Sequence, residues 1–224
     1  MSWWPFKKKA RFQKQEFVSD FVQNASKPIP GQRAISQLEF VVLDTETSGL
    51  NSQKDQILSF GAVKIIRKSI VISSGVEWYP EIEVKGERAA TIHGLVKTSN
   101  QLEHSIFMKK ITDYLGGAIL VGHHVGFDLE MLLQLGRRFG LDTFPNSVID
   151  TQNFALRLEQ GPQANFGQFR PEEYSLDRVC ERYNIPLEDR HTASGDAFLT
   201  AQLFLKLLQL AQKKGINTYQ ELIR

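Results

Sequence analysis

The 224-residue chain is 42 % hydrophobic and 23 % charged, enough for a full buried core, with a formal net charge of only +2. No stretch approaches the roughly 20 consecutive apolar residues of a membrane span, and the amino terminus lacks the apolar centre of a secretory signal, so a cytoplasmic protein is expected. The single Cys180 excludes an internal disulfide; it lies in Leu176, Val179, Cys180, Tyr183, a helical core spacing, and reads as an interior thiol rather than a nucleophile.

The charge is unevenly spread. Residues 1–37 hold seven of the 27 Lys/Arg and two of the 25 Asp/Glu, so a basic arm precedes a remainder with 20 bases and 23 acids. A near-neutral body gains little from bulk electrostatics against a polyanion, so any nucleic-acid contact must come from local groups or metal ions. The arm combines Trp3, Trp4 and Phe6 with Lys7 to Lys9, then sets Phe17, Val18, Phe21 and Val22 at helical spacing before the linker Pro28 to Gly31. Three readings stand: an arm packed on the body, an arm that contacts a partner, nucleic acid or membrane surface, or a disordered leader.

From Leu38 the pattern is that of strands: Glu39 to Asp44, Ile57 to Ile66 and Ile70 to Trp78, joined by short polar turns that imply antiparallel neighbours. A helix over 99–115 ends at Gly116-Gly117, and a fourth strand covers Ala118 to Val121. A helix follows from near Gly126, in which Asp128 precedes Met131, Leu132 and Leu135 on the buried face. Ser147 to Ile149 suits a short fifth strand, with Asp150 as the N-cap of the next helix. Residues 161–173 read as a long loop or lid, and Thr192 to Lys214 as the main carboxyl-terminal helix. The order of elements predicts an α/β domain with a mixed sheet.

The first strand ends in Asp44-Thr45-Glu46, and side chains alternate along a strand, so both carboxylates point the same way. Like charges on one face repel unless a cation lies between them. Asp128 and Asp196, each near a helix head, are the further acids that would complete a site of hard oxygens suited to Mg²⁺ or Mn²⁺. Two such ions about 3.5–4 Å apart can activate a water and stabilise a leaving oxygen in phosphodiester hydrolysis. His191, five residues before Asp196, suits a general base if it occupies the turn before that helix.

Three segments carry a resemblance: Asp44-x-Glu46-Thr47-Ser48-Gly49-Leu50, His123-His124-x-x-Phe127-Asp128 and His191-x-Ala193-x-x-Asp196-Ala197. In this order they resemble the exonuclease motifs of the DEDD superfamily, histidine subtype, which includes the proofreading epsilon subunit of bacterial DNA polymerase III. The similarity runs over about residues 38–211. It implies a ribonuclease H-like fold, a five-stranded mixed sheet flanked by helices, within an exonuclease domain at 38–224 behind the arm and linker at 1–37. It implies release of nucleoside 5′-monophosphates from the 3′ end of single-stranded DNA or RNA, DNA favoured, with two Mg²⁺ or Mn²⁺ ions. Asp44, Glu46, Asp128 and Asp196 would be the metal ligands, and His191 the general base.

The segment Thr91-Ile92-His93-Gly94-Leu95 resembles another stretch of the family, so His93, with Thr47, Leu50 and Phe127, would line the pocket for the terminal nucleotide. His124 stands where many relatives have Asn, at a substrate-positioning place. Two other expectations rest on local pattern: His123, after an apolar strand, is a buried hydrogen-bonded residue, and His104 is solvated on a charged helix face. The competing functions are an RNA-trimming exoribonuclease and a module that binds nucleic-acid ends or a polymerase without turnover. With so little chain after the last helix, a stand-alone or accessory enzyme is expected over a core replicase subunit.

Overall fold

The computed structural model describes residues 13–82, 100–161 and 170–224. Five strands, β1 (Glu39–Thr47), β2 (Ile57–Ile66), β3 (Ser69–Trp78), β4 (Ile119–Gly122) and β5 (Val148–Asp150), form one sheet in the order β3-β2-β1-β4-β5. β1 pairs antiparallel with β2 and β2 with β3, whereas β1 with β4 and β4 with β5 are parallel. Parallel neighbours need crossovers, and these are supplied by helices: α2 (His104–Leu115) before β4 and α3 (Val125–Gly136) before β5. The helices α4 (Thr151–Gln160), α5 (Leu176–Arg182), α6 (Ala193–Lys213) and α7 (Tyr219–Leu222) complete the body.

β1 is central, so Phe40 to Leu43 is buried on both faces and reads as a continuous apolar run. Phe40 and Val42 join Val63, Ile65 and Val121 in one core with α4, α5 and α6; there Phe204 meets Phe40 edge-on at 5.0 Å between ring centres. Val41 and Leu43 join Phe60, Ala62 and Leu120 in a second core with α2 and α3. The helix α1 (Glu16–Ala25) belongs to that second core through Val18, Phe21 and Ala25, and packs on α2. Phe17 and Phe21 meet Phe139 and Phe144 at 6.0 and 6.1 Å, and the Gln15 amide donates to the Phe139 carbonyl. The helical spacing in the arm thus corresponds to a buried stripe from Glu16 onward, while Trp3, Trp4 and the Lys7 to Lys9 run lie outside the described residues.

The linker is also held: Ala34 bridges to Thr218 and the Ile35 amide donates to the Asn217 carbonyl. Two expected boundaries shift. β1 runs on to Thr47 because it keeps pairing with β2 as far as Ile57, and the helix expected from 99 begins at His104. Of the expected loop at 161–173, residues 162–169 lie outside the described set, and Pro171–Tyr174 form a 3-10 turn. Among the described residues no helix is long and apolar enough to cross a membrane.

Candidate active site

The alternation along β1 that builds two cores also sorts the polar residues at its carboxyl end. Asp44 and Glu46 continue the face of Phe40 and Val42, toward α6; Thr45 continues the face of Val41 and Leu43, toward α3. β4 pairs with β1 only as far as Val42 opposite Val121, so the last residues of β1 extend beyond their parallel neighbour. That overhang lies at the carboxyl end of the central strand, the usual position for a site in α/β folds.

The first turn of α6 rests on this strand end. Gly61 of β2 lies opposite Asp44 in the antiparallel register, and a Cβ added to it would lie 2.1 Å from the Ala193 carbonyl carbon. Only glycine lets the helix come so near the strand. Thr192 caps α6, its hydroxyl accepting from the Gly195 amide at 3.0 Å, and Asp196 follows one turn later, 9 % exposed. As a result Asp44, Glu46 and Asp196 each bring a carboxylate oxygen within 4.8 Å of the others. Burial, then the charges of Asp128, Asp196 and Glu46, raise the Asp44 carboxyl well above its ordinary value. Burial and Asp196 raise Glu46 as well. Burial and repulsion disfavour the ionised forms of Asp44 and Glu46, and hard oxygens clustered in this way fit a hard divalent cation such as Mg²⁺ or Mn²⁺.

Asp128 lies outside this triplet, although its charge acts on Asp44. From the first turn of α3 its Oδ1 accepts from the Thr45 amide at 3.0 Å and from the Thr45 hydroxyl at 2.6 Å. The amide is available because the pairing of β1 with β4 ends at Val42. Burial pushes the Asp128 carboxyl up to about 7 even against the Thr45 hydrogen bonds, which act to lower it. The sequence pattern put Asp128 on the buried face of its helix; its partner across 83 residues was not legible there.

His191 occupies the exposed turn before α6, in the left-handed region with φ of 67°. Its charge favours ionised Glu46, so the ring lies within electrostatic reach of the cluster. Arg190 beside it donates from Nε to Asp177 of α5 at 2.6 Å and from Nη1 to Asp196. Nothing in the motifs singled out Arg190, Asp177 or Thr45, because each acts through a distant partner.

Of the expected substrate contacts, Thr47 ends β1 and Leu50 lies in the turn that follows it. Leu50 is 89 % exposed at the tip of the β1–β2 turn, while the Thr47 hydroxyl is engaged locally with the Gly49 carbonyl at 2.9 Å. Asp55 organises this turn by accepting from the Ser48 hydroxyl and the Asn51 amide. Phe127 is half-buried in the first turn of α3. His124, exposed and with φ of 61°, precedes that helix, and its Nε2 faces the Gln152 amide nitrogen at 2.8 Å. His93 lies outside the described residues.

His123 is structural, its ring held between the Thr151 hydroxyl and the Tyr174 carbonyl, each at 2.9 Å. Burial pushes this imidazole down to about 4. Asp150 is the N-cap of α4, accepting from the Gln152 and Asn153 amides, and Cys180 is a buried thiol pushed up to about 12 by desolvation. One expectation is corrected: His104 is not merely solvated, since its Nε2 meets the Glu81 carbonyl at 2.8 Å and its Nδ1 lies 3.2 Å from Arg138.

The family model RNase_T, described as "Exonuclease", matches residues 41–204. The DNA polymerase III PolC-type protein of Caldanaerobacter subterraneus is 32 % identical over 187 residues, covering 82 % of this chain and 12 % of its own length. The DNA polymerase III subunit epsilon-like protein of Rhodobacter capsulatus is 32 % identical over 191 residues, covering 83 % and 26 %. The chain therefore spans about an eighth of the first relative's length and about a quarter of the second's. Among solved structures, E. coli Exonuclease I in complex with an oligonucleotide superposes with a TM-score of 0.61 at 17 % identity, over 80 % of this chain and 43 % of that one. That likeness shows a shared fold, the ribonuclease H-like arrangement of a five-stranded mixed sheet with flanking helices.

Proposed function

The chain belongs to the RNase_T exonuclease family, and on that premise we propose that it is a metal-dependent 3′-to-5′ exonuclease for single-stranded nucleic acid, DNA in preference to RNA. The observation that carries this reading is the triplet of Asp44, Glu46 and Asp196 oxygens within 4.8 Å, beside Asp128 and the His191 turn. The preference for DNA rests on the relatives named as DNA polymerases and on the oligonucleotide bound to Exonuclease I. A polymerase is the corresponding partner class. The exonuclease unit would run over 38–224, with the packed arm of 13–37 as its extension.

In this reading Asp44, Glu46, Asp128 and Asp196 hold Mg²⁺ or Mn²⁺. Such ions supply Lewis-acid activation of water and neutralise charge at the leaving oxygen. Each carboxylate has its own support. Gly61 lets α6 bring Asp196 to β1, and Thr45 fixes Asp128 through two donors. His191 takes the proton of the attacking water on a ring nitrogen as the new bond to phosphorus forms. The bond from phosphorus to the 3′ oxygen breaks, so one nucleoside 5′-monophosphate leaves and a new 3′ hydroxyl remains. Leu50, Phe127, His124 and Thr47 hold the terminal nucleotide, with His93 assigned to the same pocket by family resemblance.

The test is a 5′-labelled single-stranded oligonucleotide, in matched DNA and RNA forms, incubated with Mn²⁺ or Mg²⁺. Stepwise shortening from the 3′ end is expected. Asp44→Ala abolishes it, and His191→Ala lowers kcat by about 10²–10⁴-fold, the usual worth of a general base. Undiminished degradation in excess chelator, or end binding with no product, refutes the proposal.

A further inference from the structure

Arg190 has no part in the three motifs, yet its guanidinium is the cationic group bonded to the acidic triplet among the described residues. Nη1 donates to Asp196 Oδ1 and Nε donates to Asp177 Oδ1 at 2.6 Å, so one planar group spans α5 and α6. Its side chain is only 20 % exposed, and its positive charge opposes the upward shifts of both Asp44 and Glu46. Asp196 is the member of the triplet it occupies, and His191 is the next residue in the chain.

We propose that Arg190 is a positioning residue: its guanidinium is the built-in counter-ion of Asp196 and opposes a divalent ion there, with Asp177 as its second anchor. The inference rests on the proposed metal role of Asp196. Three physical steps lead to it. The guanidinium bonded to Asp196 offsets part of that carboxylate's charge and repels a second cation, so a divalent ion at Asp196 binds against the Arg190 charge. Nε on Asp177 keeps the His191 turn tied to α5 whether or not Nη1 stays on Asp196. Asp177 also offsets the Arg190 charge, so the net field on an incoming cation depends on both residues.

Opposite effects on metal affinity follow from the two members of this pair. Arg190→Met removes the competing cation and should tighten Mn²⁺ binding by about threefold or more, while lowering kcat because the His191 turn loses its anchor. Asp177→Asn leaves the guanidinium to Asp196 alone and should weaken Mn²⁺ binding by about the same factor. Arg190→Lys keeps the charge without the fork, so affinity should stay near that of the natural protein while kcat falls.

Calorimetric titration of the full chain with MnCl₂, without nucleic acid, measures these affinities directly. Tighter binding by Arg190→Met together with weaker binding by Asp177→Asn supports the assignment. Unchanged or weakened binding by Arg190→Met overturns it. Should that variant not fold, Asp177→Asn decides alone, and unchanged affinity there overturns the assignment. A merely structural ion pair would lower thermal stability in both variants without moving Mn²⁺ affinity in opposite directions. Turnover of a labelled oligonucleotide is read separately: Mn²⁺ binding with these opposite shifts but no product would refute the exonuclease proposal and leave the Arg190 assignment standing.

Discussion

A single carboxylate oxygen of Asp128 accepts both the amide and the hydroxyl of Thr45, at 3.0 and 2.6 Å, and so joins the end of β1 to the first turn of α3. Thr45→Val keeps the shape and removes the hydroxyl donor. A lost hydrogen bond to a buried charged group costs about 1–3 kcal/mol. The melting temperature should fall by roughly 2–4 °C per kcal/mol, and turnover by up to about 10²-fold if Asp128 moves by an ångström. Thermal denaturation and the oligonucleotide assay on the same preparation check both.

The raised carboxyls fix the sign of a pH dependence. In the native protein Asp128 is pushed up to about 7 from an ordinary 3.8, and Asp44 is raised too. Between those values the native state keeps protons that the unfolded chain has released, so stability without metal falls as pH rises from about 4 to about 7. For Asp128 the effect is bounded on the order of 4 kcal/mol. Denaturant melts in chelator across this window should show the decline. Added Mn²⁺, which favours the ionised form, should stabilise more at pH 8 than at pH 5.

Asp44→Asn should separate stability from activity. Removing one charge from the triplet relieves repulsion and should raise the melting temperature in chelator by a few degrees, on the order of 1 kcal/mol. The same change should abolish metal-dependent degradation. A variant less stable than the natural protein in chelator would show that repulsion among these acids does not weigh on the fold.

Gly61→Ala tests the seat of α6. The added methyl would meet the Ala193 backbone at 2.1 Å, where no flexible side chain can yield. The helix must lift, at a cost of about 1–3 kcal/mol, and Asp196 would lift with it. The expected outcome is weaker Mn²⁺ binding as well as a lower melting temperature. Gly126→Ala is the control, since a Cβ there meets nothing within 4 Å.

Much of this architecture is legible in the residues. β2 spans Ile57–Ile66 as its pattern implies, because an interior strand is mostly apolar and bounded by polar turns. Asp150 as a cap and His123 as a buried, bonded ring are also local inferences, made from neighbours in sequence. The three motifs locate the acids. They do not reveal that Asp128 turns to Thr45 while Asp196 turns to Asp44 and Glu46; that division depends on which face of β1 each helix covers. Arg190 and His104 show a second limit. The long Arg190 side chain carries its head to Asp177, and the His104 ring meets a carbonyl 23 residues away. No periodicity encodes where such a group comes to rest.

The overhang of β1 beyond β4 has a consequence for how the site can change. Thr45 has its amide to offer because its parallel neighbour stops at Gly122, and α3 begins three residues later. The open strand end therefore depends on a difference in length between two adjacent strands. Replacing apolar residues in β4 by others of similar volume should leave that difference intact. Inserting two residues between Val121 and Val125 would let β4 pair along the overhang, take the Thr45 amide from Asp128 and cover the strand end, with all four acids still present in the sequence.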